Sequence, residues 1–106
     1  MERLDPIREE IDRIDEEILR LLNDRAREVL EIVRIKDELG LPIYFPKRED
    51  EILRLVQEAN SGPLSDAAVR RLFERIIDES RRLERTLGDD GEGTDGTSGD
   101  GQESAG

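Results

Sequence analysis

No glycine or proline falls between Pro6 and Gly40, and an apolar stripe runs through the whole interval. Ile7, Ile11, Ile14, Ile18, Leu21, Val29, Ile32 and Leu39 follow at steps of three and four or their multiples, which keeps them on one helical face. Asp5 is placed to cap such a helix and Pro6 suits its first turn. Gly40 and Pro42 are placed to stop it. A helix of about 35 residues is ~52 Å long at ~1.5 Å per residue. A compact domain of this size is only about 30 Å across. Two shorter helices cannot cover that length, so length and pattern together predict a second chain along the uncovered part, a helical dimer. The other possibility is a monomer whose helix breaks near Asn23 to Arg25.

The remainder of the chain supplies the two shorter helices. One spans 46–59, from Pro46 to Ala59, with Ile52, Leu53, Val56 and Ala59 turned inward. "NSGPLS" then makes a turn. The next helix starts after a Ser65 cap and continues through Leu72, Phe73, Ile76, Ile77 and Leu83 to Leu87. Leu64 and Val69 are spaced as a hydrophobic staple across its start. No strand-like alternation appears, so the predicted fold class is all-α, a helical domain over residues 1–87. Residues 88–106 hold seven of the nine glycines and almost no apolar side chain. Such a segment buries too little to offset its ordering entropy and is expected to be a disordered acidic tail.

Composition narrows the chemistry. The chain has no cysteine and no histidine, which excludes disulfides, thiolate metal sites and histidine catalysis; neither a metal nor a cofactor is expected. The formal net charge is −11, a poor match for nucleic acid. Six of the 28 acids and none of the 17 bases lie in 88–106, so the helical body is only mildly acidic. No apolar run is long enough to span a membrane, and "MERLDPIREE" lacks a signal-peptide core. A cytoplasmic protein with neither membrane nor nucleic acid as partner is expected.

Polar residues interrupt all three stripes. Arg25 is four after Leu21 and four before Val29, and Lys36 is four after Ile32. Arg48 precedes Ile52 by four and Glu49 precedes Leu53 by four. Phe73, Ile77, Ser80, Glu84 and Leu87 form one continuous line. Each has an ordinary explanation taken singly: Arg25 can snorkel, Lys36 suits a helix C-terminus, and Arg48 and Glu49 open a helix where both can be solvated. Together they place an excess of cations on inner faces, where unpaired charge is costly. A pocket lined by Arg25, Lys36 and Arg48 calls for a small ligand with two or more negative charges. Arg25 and Lys36 lie ~16 Å apart along the axis, within reach of one small molecule through extended side chains. Arg8 is ~26 Å from Arg25 and cannot join that site from its own chain. In an antiparallel dimer it can join the partner's.

Three segments carry a resemblance: "IREEIDRIDEEILRLLNDRA", "IKDELGLPIYFPKRED" and "GPLSDAAVRRLFERIIDESRRLE". Over about residues 4–87 the chain resembles the AroQ-type, all-helical chorismate mutases, especially the mutase domain that opens bacterial bifunctional mutase–prephenate dehydratases. The resemblance implies an intertwined homodimer of three-helix chains, in which chorismate, a dicarboxylate, rearranges to prephenate on the way to phenylalanine and tyrosine. It implies that Arg25 and the other chain's Arg8 bind substrate carboxylates and that Lys36 meets the ether oxygen of the breaking bond. Arg48 would add positive charge, Glu49 would take the ring hydroxyl, and Ser80 would hold a carboxylate. The Phe45 backbone would assist, where some members carry Asp, and Ile32 and Ile77 would form apolar walls. Glu84 falls where the best-known bacterial member has Gln, opposite Lys36 at the ether oxygen. Two other readings share the pattern: an isochorismate pyruvate lyase on the same fold, and a non-catalytic helical dimerisation or regulatory module.

Overall fold

The computed structural model describes residues 2–88, which form three helices. These are α1 (Asp5–Leu39), α2 (Pro46–Ala59) and α3 (Asp66–Gly88). Among the described residues no strand forms. The expected tail lies, beyond Gly88, outside the described residues.

Helix α1 is unbroken, so the interruption near Asn23 to Arg25 does not occur. Its start differs from expectation by one residue. Leu4 occupies the cap position without a side-chain hydrogen bond, and Asp5 already lies in the first turn, where its charge suits the helix dipole. At the other end Gly40 adopts a left-handed conformation (φ 72°). Its N–H donates to the Asp37 carbonyl at 3.2 Å, and Leu41 N–H donates to the Lys36 carbonyl at 2.9 Å. This paired arrangement satisfies carbonyls the helix leaves open and turns the chain sharply towards α2.

The turn between α2 and α3 is organised by Asn60. Its side-chain amide donates to the Leu64 carbonyl and to Asp66 Oδ1, both at 2.8 Å, and its Oδ1 accepts from Gly62 N–H at 3.2 Å. Ser65 then caps α3 as expected, its Oγ accepting from Ala68 N–H at 3.0 Å. Val69 is buried, whereas Leu64, its expected staple partner, stays half exposed.

Helix α3 packs against both α1 and α2. The buried apolar side chains among the described residues are only Val33, Leu53, Val69 and Ile77. Val33 belongs to the second half of α1, Leu53 to α2, and Val69 and Ile77 to α3. The first half of α1 projects beyond them, in a particle measuring 54 × 32 × 19 Å. Residues 2–23 are exposed throughout, including Ile7, Ile11, Ile14 and Ile18 of the apolar stripe. Ser65→Ala removes the α3 cap and is expected to cost about 1 kcal/mol. In urea unfolding at fixed protein concentration, the midpoint should fall and the slope should not change.

Candidate functional site

The second half of α1, the 40–45 loop, the first turn of α2 and the last turns of α3 enclose a cavity of about 260 Å³. Nine of the ten predicted site residues line it. Arg25, Ile32 and Lys36 come from α1, Phe45 from the loop, Arg48 and Glu49 from α2, and Ile77, Ser80 and Glu84 from α3. Arg8 does not reach it; it sits on the exposed first half of α1.

The two α1 cations are held by neutral partners. Arg25 is half-buried, and its guanidinium donates to Ser80 Oγ at 2.6 Å. Burial, with Arg48 nearby, lowers its pKa against a small opposing pull from Glu84. Lys36 Nζ donates to the Ile43 carbonyl at 3.3 Å and lies 5.2 Å from the centroid of the Phe45 ring. Phe45, expected to act through its backbone, thus also offers its ring to a cation. Among the described residues no carboxylate forms an ion pair with Arg25 or Lys36. Arg48, by contrast, is exposed and pairs with Glu51 at 2.6 Å.

The acids differ as well. Glu84 is half-buried, and burial raises its pKa; Lys36, Arg81 and Arg25 pull it down, while Glu49 adds to the rise. Glu49 is gripped by Arg81, whose Nε donates to Oε2 at 3.1 Å while a terminal nitrogen donates to Oε1. Arg81 was not among the predicted residues. It stands four after Ile77, so the spacing that singled out Arg25 and Lys36 applies to it too. Glu28, Val29, Ile43 and Ile52 complete the lining.

A second groove of about 470 Å³ opens on the other side of the α1–α3 contact. Leu22, Ala26, Ile76 and Leu83 make it largely apolar, and it shares Arg25 and Ser80 with the first cavity. The hydrogen-bonded Arg25–Ser80 pair is therefore a common wall. A third, between α2 and α3, holds about 490 Å³. Its arginines already have partners, Arg54 on Glu58 and Arg70 on Glu74 and Gln57. Among the described residues no group of acids gathers that could hold a metal ion, and no helix is long and apolar enough to cross a membrane.

The first cavity thus offers two cations without an ion pair, a carboxyl whose pKa is raised by burial, and apolar walls. It is suited to holding a small dianion and to hydrogen-bonding an oxygen between Lys36 and Glu84.

Comparison with known proteins agrees with that chemistry. Residues 7–85 match the family chorismate mutase type II. The bifunctional chorismate mutase/prephenate dehydratase of Aquifex aeolicus is 45% identical over 91 residues, covering 82% of this chain and 25% of that protein. The corresponding protein of Neisseria gonorrhoeae is 45% identical over 86 residues, 81% of this chain and 23% of its own length. The chain therefore spans about a quarter of these relatives. The chorismate mutase of Methanocaldococcus jannaschii is 33% identical over 89 residues, 80% of this chain and 87% of that one. A solved chorismate mutase from Thermus thermophilus superposes with a TM-score of 0.76 at 48% identity, covering 78% of this chain and 94% of that one.

The raised pKa of Glu84 has a consequence for stability. Its ionised form is disfavoured in the folded chain, so the contribution of Glu84 to stability is fully present below the ordinary glutamate pKa. It is lost as pH rises through the raised value. Glu84→Gln should therefore melt higher than the parent at pH 8. That gain should vanish as pH falls below the ordinary glutamate value, in paired thermal melts.

Proposed function

The chain belongs to the type II chorismate mutase family, and from that premise we propose that it converts chorismate to prephenate. The observation that carries the proposal is the pair Arg25 and Lys36, facing one cavity with no carboxylate paired to either. Chorismate is a dicarboxylate, and its two charges match what the pocket lacks. The reaction is a unimolecular pericyclic shift in which a C–O bond breaks as a C–C bond forms. It needs neither a nucleophile nor a proton carried from one site to another. The protein has to hold the compact conformer and stabilise charge that builds on the ether oxygen.

Arg25 would form a fork with one carboxylate, and Ser80, whose oxygen already accepts from Arg25, can donate its own hydrogen to the same group. Lys36 would meet the ether oxygen from one side. Glu84 faces it from the other and can help only when protonated, because an ionised carboxylate accepts but does not donate. Burial favours that protonated form. Arg48 would turn from Glu51 and add positive charge. Ile32 and Ile77 would press on the ring, and Glu49 would accept from its hydroxyl.

The same proposal makes the protein a homodimer in the cytoplasm. The exposed stripe from Ile7 to Ile18 needs an apolar cover, and the groove beside Arg25 and Ser80 offers an apolar seat. An antiparallel partner laying the first half of its α1 there would bring the partner's Arg8 up to the Arg25 wall. The second carboxylate would then meet its own arginine.

Loss of chorismate absorbance, with the product identified as prephenate, tests the activity. Release of pyruvate would mark a lyase instead, and no turnover would overturn the reading. Arg25→Ala and Lys36→Ala should each lower turnover by about 10²–10³, the scale of one lost transition-state donor, with the fold intact by circular dichroism. For the shared site, Arg8→Ala and Arg25→Ala should each be inactive alone. Refolded together they should recover about a quarter of the active sites, since half the dimers are mixed and each mixed dimer has one complete site. No recovery despite mixed dimers would reject the shared site.

A further inference from the structure

Among the described residues, every ion pair except one joins side chains three or four apart on the same helix, and most of these are well exposed. Such pairs contribute little. The exception is Arg81–Glu49, which ties α3 to the first turn of α2. Its partners are the most protected of all the pairs, with side chains 36% and 20% exposed. It also lies in the wall of the cavity that holds Arg25, Lys36 and Glu84.

The geometry says how Arg81 acts. Two of its nitrogens are spent on the two oxygens of Glu49. The remaining terminal nitrogen donates to Asp78 at 3.5 Å. The guanidinium carbon lies 5.4 Å from the centroid of the Tyr44 ring, in reach of its face. With its fork engaged in this way, Arg81 is poorly placed to bind a ligand itself. Glu49 is in the opposite position. Each carboxylate oxygen has two lone pairs, and Arg81 uses one on each. An acceptor site therefore remains on each oxygen.

The charge account explains why this matters. A pocket for a dianion is a poor place for an unpaired carboxylate. Without Arg81, Glu49 would be left half-buried near the carboxyl of Glu84. Lys36 and Arg48 line the same cavity and would be open to it as replacement partners. A Glu49 released in that way would compete with the substrate for the cations that bind it.

We propose that Arg81 is a positioning residue. Its fork holds Glu49 as an oriented, charge-compensated acceptor for the substrate hydroxyl and keeps that carboxylate away from Lys36 and Arg48. The proposal rests on the chorismate reading and deepens it. The hydroxyl is on the carbon beside the one that loses its ether oxygen, but its own bonds neither form nor break, so its contact with Glu49 changes little between ground and transition states and should appear mainly in KM.

The test is steady-state turnover of chorismate by the parent, Arg81→Gln, Arg81→Lys, Glu49→Gln and the double variant Glu49→Gln/Arg81→Gln, with folding checked for each. Arg81→Gln should raise KM about tenfold, the scale of one charge-assisted hydrogen bond, and change kcat less. Arg81→Lys keeps the charge but not the two-pronged grip, so its KM should fall between those of the parent and Arg81→Gln. The double variant should bind substrate better than Arg81→Gln, because the released charge that competes is gone. A merely structural Arg81 predicts no such recovery. The inference is overturned if Arg81→Gln has the parent KM, or if the two single effects simply multiply. Should Arg81→Gln not fold, Arg81→Lys decides alone: a raised KM supports the inference and the parent KM overturns it. A parent protein that does not turn over chorismate overturns the functional reading, and this inference with it. An active parent with indifferent Arg81 variants overturns the inference only.

Discussion

Arg25 loses solvent on the face where α1 meets α3 and receives only the neutral Ser80 hydroxyl in exchange. A half-buried guanidinium compensated by one hydroxyl is a net cost to folding. That cost is concentrated where it can be recovered, at the wall common to two cavities and one turn from Val29. Bringing an anion to Arg25 returns the missing interaction, so binding and stability act through the same atoms. Lys36 repeats the arrangement more mildly, with the Ile43 carbonyl and the Phe45 ring as provisional partners. Neither partner carries a charge, and neither has to be displaced against a full ion pair.

The rest of the surface is balanced in the opposite sense. Along α1, Arg20 bridges Glu17 and Asp24, and Arg34 bridges Glu31 and Glu38. These ladders support an exposed helix at about 0.2–0.5 kcal/mol per pair. They leave Arg20 and Arg34 with no charge to offer another anion. Inside the cavity the balance is set residue by residue. Arg81 cancels Glu49, and burial raises the Glu84 pKa against the pull of Lys36, Arg81 and Arg25. The result is a net positive pocket in a negative chain.

Much of this is legible in the sequence because helices announce themselves. Gly40, Pro46, Asn60 and Ser65 each mark a boundary through a specific backbone demand, and α2 spans the residues its pattern indicates. The start of α1 is less legible: Asp5 can act as a cap or as a first-turn acid, and the choice depends on where the chain comes from. Six of the site residues, Arg25, Lys36, Arg48, Glu49, Ser80 and Glu84, follow from one rule, a polar group at an apolar step, while Phe45, Ile32 and Ile77 come only from the family resemblance. Arg81 obeys that rule but stands beside Arg82 and Arg85, so it looks like part of a solvated basic run. Its partner is 32 residues away on another helix, and only packing shows the pairing. The Phe45 ring beneath Lys36 is hidden for a similar reason, since it depends on the path of the 40–45 loop. The groove behind Arg25 is set by how α1 and α3 cross, which no single stripe records.

The four buried apolar side chains make a small core for a chain with an α1 of 35 residues. Ile7, Ile11, Ile14 and Ile18 stay about half exposed, so the larger share of the apolar stripe contributes nothing within one chain. On the proposed dimer these same residues complete the core, at about 25 cal/mol for each Å² of apolar surface they bury. The helix that completes the core is also the one that carries Arg8, one turn of stripe away from Ile11. Association would then supply stability and the last substrate ligand in a single step. Folding, assembly and activity would share one concentration dependence. A long helix bearing cations at both ends of one stripe achieves this coupling without any added element, because the helix fixes the distance between Arg8 and the apolar residues that seat it.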